Sequence, residues 1–141
     1  MVQSTKQQKL EQLFALFDRS PVQNALGTRL HFDVDGDAVV EFPINPTFDN
    51  ALGATHGGIV STLLDTAGWF AAATAYETWI ATVDLHVQLL APADGQSLTT
   101  VGHLIRAGSK LAMTRMTVHR ADGTQIALGQ GTFSVTSVPR G

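Results

Sequence analysis

An α+β domain is what this sequence predicts, and three observations carry the prediction. A long apolar run between residues 57 and 76 has helical periodicity. The chain beyond residue 78 falls into stretches of similar length that alternate as strands. Turn dipeptides separate them, at Asp94-Gly95, Ala107-Gly108 and Asp122-Gly123. Two short strands, one long helix and then four antiparallel strands leave the helix one way to bury its apolar stripe, which is against the sheet. The 141 residues suit one domain of ordinary size, read as 1–141 with no linker, low-complexity tract or internal repeat.

Each element has its own signal. Residues 4–19 read as an extra N-terminal amphipathic helix, with Leu10, Leu13, Phe14 and Phe17 at spacings of three and four and Ser20-Pro21 ending the pattern. Residues 28–35 and 37–44 read as short strands joined at Asp35-Gly36, and 45–56 as a loop. In the helix at 57–76, Ile59, Val60, Leu63, Leu64, Ala67 and Ala71 form one stripe. The strand at 79–91 places Val83, Leu85, Val87 and Leu89 on one face and Thr82, Asp84, His86 and Gln88 on the other. Strands at 96–107, 109–121 and 124–137 complete the sheet.

Composition removes several function classes. With 44% hydrophobic and 15% charged residues the chain is neither disordered nor a coiled coil. Nine Lys+Arg against twelve Asp+Glu leave a net charge of −3, so no global field attracts nucleic acid or an anionic membrane. The absence of cysteine excludes disulfide frameworks, cysteine zinc sites, iron–sulfur clusters and thiol nucleophiles, and fits a reducing cytoplasm. Five histidines without close ligand spacing give no expectation of a metal site. The opening MVQSTKQQKLEQLF lacks the apolar core of a signal peptide. The apolar run 59–76 contains Asp65, which would cost about 2.5–3.5 kcal/mol in a bilayer, so it reads as a core helix and not a membrane span.

Three places could carry chemistry. Asp65 is the only charged residue between Asp49 and Glu77, and no Lys or Arg occurs between Arg29 and Arg106. A carboxylate in an apolar helix either reaches a cavity or is held by hydrogen bonds. Desolvation would raise its pKa, which suits a general base. The alternative is an Asp on a solvated helix edge or bonded to a neighbouring strand. The second place is the helix start, Thr55-His56-Gly57-Gly58. Free N–H groups point out of a helix N-terminus, and glycines let a ligand carbonyl approach them, as an oxyanion hole requires. The same glycines could merely relieve a tight loop-to-helix turn. Gly57 and Asp65 stand eight residues apart, about 12 Å along a helix. If both serve one substrate, two chains must share the site across a two-fold axis. Third, Arg106, Lys110, Arg115 and Arg120 lie in a stretch free of Asp and Glu. They could meet phosphates or guard a sheet edge.

Taken together, Asn50-Ala-Leu-Gly53-Ala-Thr-His56-Gly57-Gly58 followed by Leu63-Leu64-Asp65 resembles the signature of hotdog-fold acyl-CoA thioesterases, most of all the PaaI-like (phenylacetate-degradation) branch. The likeness extends through Thr82-Val83-Asp84-Leu85, Ala91-Pro92-Ala93, Arg106-Ala107-Gly108 and Gly129 to Phe133, covering about residues 45–135. It implies a long helix wrapped by a curved antiparallel sheet, assembled as a homodimer or as a homotetramer built from two dimers. It further implies that Asp65 activates water or attacks the thioester, and that the Gly57 N–H polarises its carbonyl. Asn50 would assist at that carbonyl or position the water, His56 would support the leaving thiolate, and Thr82 would hold the water. Gly58 would let the substrate close on the backbone. Arg106 and Lys110, with Arg115 behind them, would meet the CoA phosphates. The acyl-CoA is the substrate; no cofactor, nucleic acid or membrane partner is implied. Aryl and medium-chain acyl groups both fit, and Phe14, Phe17, Phe48, Trp69 and Trp79 are either pocket walls or core. The rival readings are an acyl-CoA binder without turnover and an acyl-thioester hydratase.

Overall fold

The computed structural model describes residues 4–141. Helix α1, Lys6–Asp18, opens with a capping box: Thr5 Oγ1 accepts from the Gln8 amide, and Gln8 Oε1 accepts from the Thr5 amide. Ser20-Pro21 ends α1 as expected, but it also begins a second helix, α2, Pro21–Leu26. Proline at the first helical position forfeits no hydrogen bond, so the same dipeptide stops one helix and starts another. Strands β1 (Arg29–Phe32) and β2 (Ala38–Phe42) are shorter than the sequence suggests. Asp33 Oδ1 draws in the amides of Asp35 and Asp37, which commits residues 33–37 to the turn.

The 45–56 segment holds one short 3₁₀ turn, Pro46–Phe48, before helix α3, Gly57–Ala73. Helix α3 stops short of residue 76 because the Thr74 hydroxyl donates to the Ala71 carbonyl, and Tyr76 Oη is drawn 2.7 Å from the Gly108 carbonyl. Strands β3 (Thr78–Leu89), β4 (Leu98–Ala107), β5 (Leu111–Arg120) and β6 (Gln125–Pro139) follow. All six strands form one antiparallel sheet in the order β1-β2-β4-β5-β6-β3, so β3 is an edge strand. Helix α3 packs on strands β2 to β6, the helix-in-sheet arrangement of the hotdog fold. Among the described residues no helix is long and apolar enough to cross a membrane.

The core explains why the apolar run is so long. Val60, Leu63, Leu64 and Ala67 face the sheet beside Phe42, Leu98, Met116 and Ile126. Further along, Trp69, Phe70, Ala72 and Ala73 are covered by Leu13 and Phe17 of α1, with Phe17 edge-on to Phe70 at 5.5 Å. The second half of α3 is therefore enclosed on all sides, and its sequence is apolar around the whole helix.

One strand departs from strict alternation. In β3, Thr82 pairs with Phe133 and Asp84 with the adjacent Thr132, so Val83 is the extra residue of a β-bulge. Val83 is 57% exposed and not on the core face. The bulge turns Thr82 to the inner side of the sheet with Ile80, opposite to the face that a period of two assigns it. Leu85 and Val87 resume the inward pattern.

Helix and sheet meet most closely at Gly102. A Cβ there would collide with the backbone carbonyl of Ala67, which cannot swing aside. Overpacking of this kind costs about 1–3 kcal/mol. Gly102→Ala is therefore expected to lower the melting temperature by roughly 5–10 °C. A thermal melt within about 2 °C of wild type would show that α3 is freer to shift than this contact implies.

Candidate active site

Asp65 emerges from the apolar surface of α3 where the β3 bulge presents Thr82. The Thr82 hydroxyl donates to Asp65 Oδ1 at 2.8 Å. Desolvation by burial pushes the Asp65 carboxyl above its usual range, outweighing the opposite effect of the Thr82 hydrogen bond. Among the described residues no donor takes Oδ2, so one carboxylate oxygen is occupied and the other is open. Both residues line a cleft of about 530 Å³ between α3, β3 and the α1–α2 corner. Two of its walls are Trp69 and Trp79, whose rings lie 4.9 Å apart at 48°. The Trp69 indole N–H is spent on the Ile80 carbonyl at 2.7 Å, so it offers the cleft an apolar surface. Behind Asp65, Gln23 of α2 donates to Thr66 Oγ1 at 3.0 Å and accepts from Thr28 Oγ1 at 2.6 Å, tying α2 to α3.

The start of α3 is built to offer donors. His56 is the N-cap, and its Nδ1 accepts from the Gly58 amide at 2.8 Å. A backbone amide can only donate, so in the neutral ring the proton sits on Nε2. This bond also consumes the Gly58 N–H, so Gly58 does not offer that N–H to a ligand. A side chain at 58 would stand 3.0 Å from His56 Nδ1, so glycine there keeps room for the imidazole. The Gly57 N–H has no acceptor among the described residues. Asn50 Oδ1 accepts from Leu52 and Ala54 amides at 3.0 and 3.2 Å, which fixes the amide orientation and leaves Nδ2 free to donate. Gly57 and Asn50 line one cleft of about 300 Å³ with Leu89, Leu90 and Pro92. Three free donors stand together at this end: the Gly57 N–H and the Asn50 NH₂ in the cleft, and the His56 Nε2–H beside it. Such a set suits developing negative charge on oxygen or sulfur.

The structure thus brings Asp65 to Thr82 in one cleft and Asn50 to Gly57 in another, with His56 beside Gly57 as the N-cap but lining neither cleft. Arg106, Lys110 and Arg115 line neither cleft. Arg106 and Lys110 flank the β4–β5 turn, which Tyr76 ties to the far end of α3, and Arg115 sits opposite His103 on the outer sheet face. Among the described residues no three His, Asp or Glu side chains gather where a metal ion could be held. Sequence reasoning missed the α1–α2 wall of the larger cleft, formed by Leu16, Arg19, Ser20 and Gln23. Proline at the start of α2 is the one local signal that could have found it.

Comparison with known proteins gives the same family from sequence and from fold. The family model described as the thioesterase superfamily matches residues 52–127. The medium/long-chain acyl-CoA thioesterase YigI of Salmonella typhimurium is 30% identical over 132 residues, covering 82% of this chain and 85% of that protein. A thioesterase family protein from Silicibacter pomeroyi superposes with a TM-score of 0.80 at 30% identity, over 92% of this chain and 97% of the other. The PaaI protein of E. coli, from the phenylacetic acid degradation operon, superposes at 0.84 over 96% and 99% of the two chains. At 18% identity it speaks to the fold alone. The chain belongs to the thioesterase superfamily and is a thioester hydrolase.

Proposed function

We propose that the protein hydrolyses acyl-CoA thioesters to a free acid and CoA, with Asp65 as the catalytic carboxylate. One observation carries the reading. The only charged residue between Asp49 and Glu77 stands half-desolvated in an aromatic cleft, with one oxygen held by Thr82 and the other open. In the water-activating form of the reaction, Oδ2 takes a proton from water as the hydroxyl attacks the thioester carbon. The carbonyl oxygen gains charge against the Gly57 N–H and the Asn50 amide. Collapse breaks the C–S bond, and the thiolate leaves against the His56 Nε2–H, which stabilises it by a hydrogen bond; the proton that Asp65 took from water balances the charge when it passes to the thiolate or to solvent. In the covalent form Oδ2 attacks the carbon itself, and water then cleaves the anhydride. Residues of this sequence, drawn from two copies of the chain, fill every role in either form, and we propose no cofactor or metal.

The two groups of residues act on one substrate when they come from different chains. About 12 Å of helix separates Gly57 from Asp65, and they line different clefts. The long edge strand β3 leaves a row of backbone groups unpaired within one chain, which favours pairing with a second copy. We therefore infer a homodimer with two shared sites, or two such dimers joined as a tetramer. Arg106, Lys110 and Arg115 are the candidates for CoA phosphates. The aromatic cleft suits an aryl or medium-chain acyl group, and the name of the YigI relative favours the latter. We infer that the hydrolase works in the cytoplasm and, from its PaaI-like signature, that it belongs to that branch.

The test is release of free thiol from a panel of acetyl-, octanoyl-, lauroyl- and phenylacetyl-CoA. The chain has no cysteine, so every thiol detected is CoA. Turnover of at least one aryl or medium-chain ester is expected. Binding of all of them without turnover would overturn the hydrolase reading for these substrates and leave an acyl-CoA binder.

A further inference from the structure

Arg140, just past β6, is 4% exposed, and among the described residues no carboxylate is within hydrogen-bonding range of it, although the charge of Glu77 acts on it from farther off. Its Nε donates to Gln12 Oε1 of α1 at 3.0 Å. Its Nη1 donates to the Ala73 carbonyl, the last residue of α3, at 3.0 Å, and to the Thr78 carbonyl, the first residue of β3, at 3.2 Å. Its own carbonyl accepts from Arg19 Nη2 at 3.1 Å. The planar guanidinium thus joins three elements at fixed angles, which a lysine could not reproduce.

Those three elements wall the cleft that holds Asp65. Helix α1 and its cap contribute Leu16 and Arg19, α3 contributes Trp69 and Phe70, and β3 contributes Trp79 and Ile80. Arg140 itself does not line the cleft. Helix α1 has other anchors, in buried Leu13 and Phe17 and in the Lys9–Glu77 ion pair at 3.4 Å. Loss of Arg140 would therefore loosen the α1 wall and not detach it.

We propose that Arg140 is a positioning residue for the acyl half of the substrate: by lacing α1 to the ends of α3 and β3 it sets the width of the cleft and so the acyl-length preference. The inference rests on the acyl-CoA hydrolase reading. Acetyl, the shortest acyl group of the panel, serves as the internal control.

The experiment compares Arg140→Ala, Arg140→Lys and Gln12→Ala with wild type on acetyl-CoA and octanoyl-CoA. For Arg140→Ala the expected result is a KM for octanoyl-CoA raised about 5–20-fold, with kcat and KM for acetyl-CoA within about twofold of wild type. Gln12→Ala, which cuts only the α1 end of the lace, shifts the same ratio in the same sense by less. Arg140→Lys recovers melting temperature more than it recovers the ratio. Should Arg140→Ala fail to fold, the ratio in Gln12→Ala and Arg140→Lys decides. A lowered melting temperature with an unchanged octanoyl-to-acetyl KM ratio would reduce Arg140 to a structural clamp and overturn the proposal. If wild type hydrolyses neither ester, the hydrolase reading has failed on its own. The ratio of octanoyl-CoA to acetyl-CoA dissociation constants, measured by calorimetry in the same variants, then decides the role of Arg140.

Discussion

Asp65→Asn is expected to reduce thioester turnover by roughly 10²–10⁴-fold while leaving the fold and substrate binding intact. Asparagine keeps the shape of the side chain and an oxygen to accept from Thr82, now 2.8 Å away. It loses the one thing the chemistry needs, an open carboxylate oxygen that can take a proton or attack carbon. The assay is thiol release beside wild type, with KM or dissociation constants measured on the same esters. A loss confined to KM would mean that Asp65 orients the substrate and that another group handles the proton. A single turnover in heavy-oxygen water then separates the two roles, because label enters the protein at Asp65 only through an anhydride.

The same carboxylate sets two pH dependences of opposite sense. Burial raises its pKa above the ordinary 3.8. Catalysis needs the ionised form, so log(kcat/KM) should climb with a slope of one through an apparent pKa above 3.8 and then level off. For stability the sign reverses. Between the unfolded pKa and the raised folded pKa the native state binds more protons than the unfolded state. Stability from this group is complete below the unfolded value and is lost as pH rises through the folded one. Asp65→Asn cannot ionise and escapes that loss, so at neutral pH its melting temperature should equal or exceed that of wild type. A variant that is both less active and less stable at neutral pH would point to a structural Asp65.

Much of the fold was legible because its signals are local and repeated. The stripe of α3 and the alternation of the long strands each recur over several turns or residue pairs, and errors at the ends do not disturb them. The helix-start groups entered through the Gly57-Gly58 pair and through the family resemblance, and the contacts that hold them, His56 capping Gly58 and Asn50 closing its own loop, span only a few residues. The facing of Thr82 was not. Nothing in Thr82-Val83-Asp84 announces a bulge; the bulge exists because Thr82 and Asp84 pair with adjacent residues of β6, some fifty positions away. A period of two places Thr82 on the solvent side, and its contact with Asp65 emerges only from the sheet. The cleft wall has the same character. Leu16 and Arg19 reach it from α1, and Arg140 bonds to Arg19 and Gln12 across separations of 121 and 128 residues. The free Gly57 N–H and the spent Gly58 N–H are likewise indistinguishable in a Gly-Gly pair until the His56 ring is placed.

Gly57→Pro exploits that difference. Gly57 is the first residue of α3, where proline is well tolerated, and the preceding His56 has φ −59° and ψ 137°, backbone that a following proline favours. The substitution therefore deletes a single N–H with little disturbance of the helix. A Cβ at 57 would meet Leu89 Cδ1 at 2.7 Å, the end of a side chain that can turn away. Loss of one donor to a developing oxyanion costs about 10²–10³-fold in kcat, and Gly57→Ala, which keeps the N–H, should cost less than about tenfold. The two inactive variants then test each other. If each site takes Asp65 from one chain and Gly57 from the other, a heterodimer of Asp65→Asn with Gly57→Pro has one site with both lesions and one with neither. Random exchange makes about half the dimers mixed, so about a quarter of wild-type activity should return from two nearly dead proteins. If Asp65 and Gly57 of the same chain served one site, every site in the mixture would keep a lesion, and no activity would return.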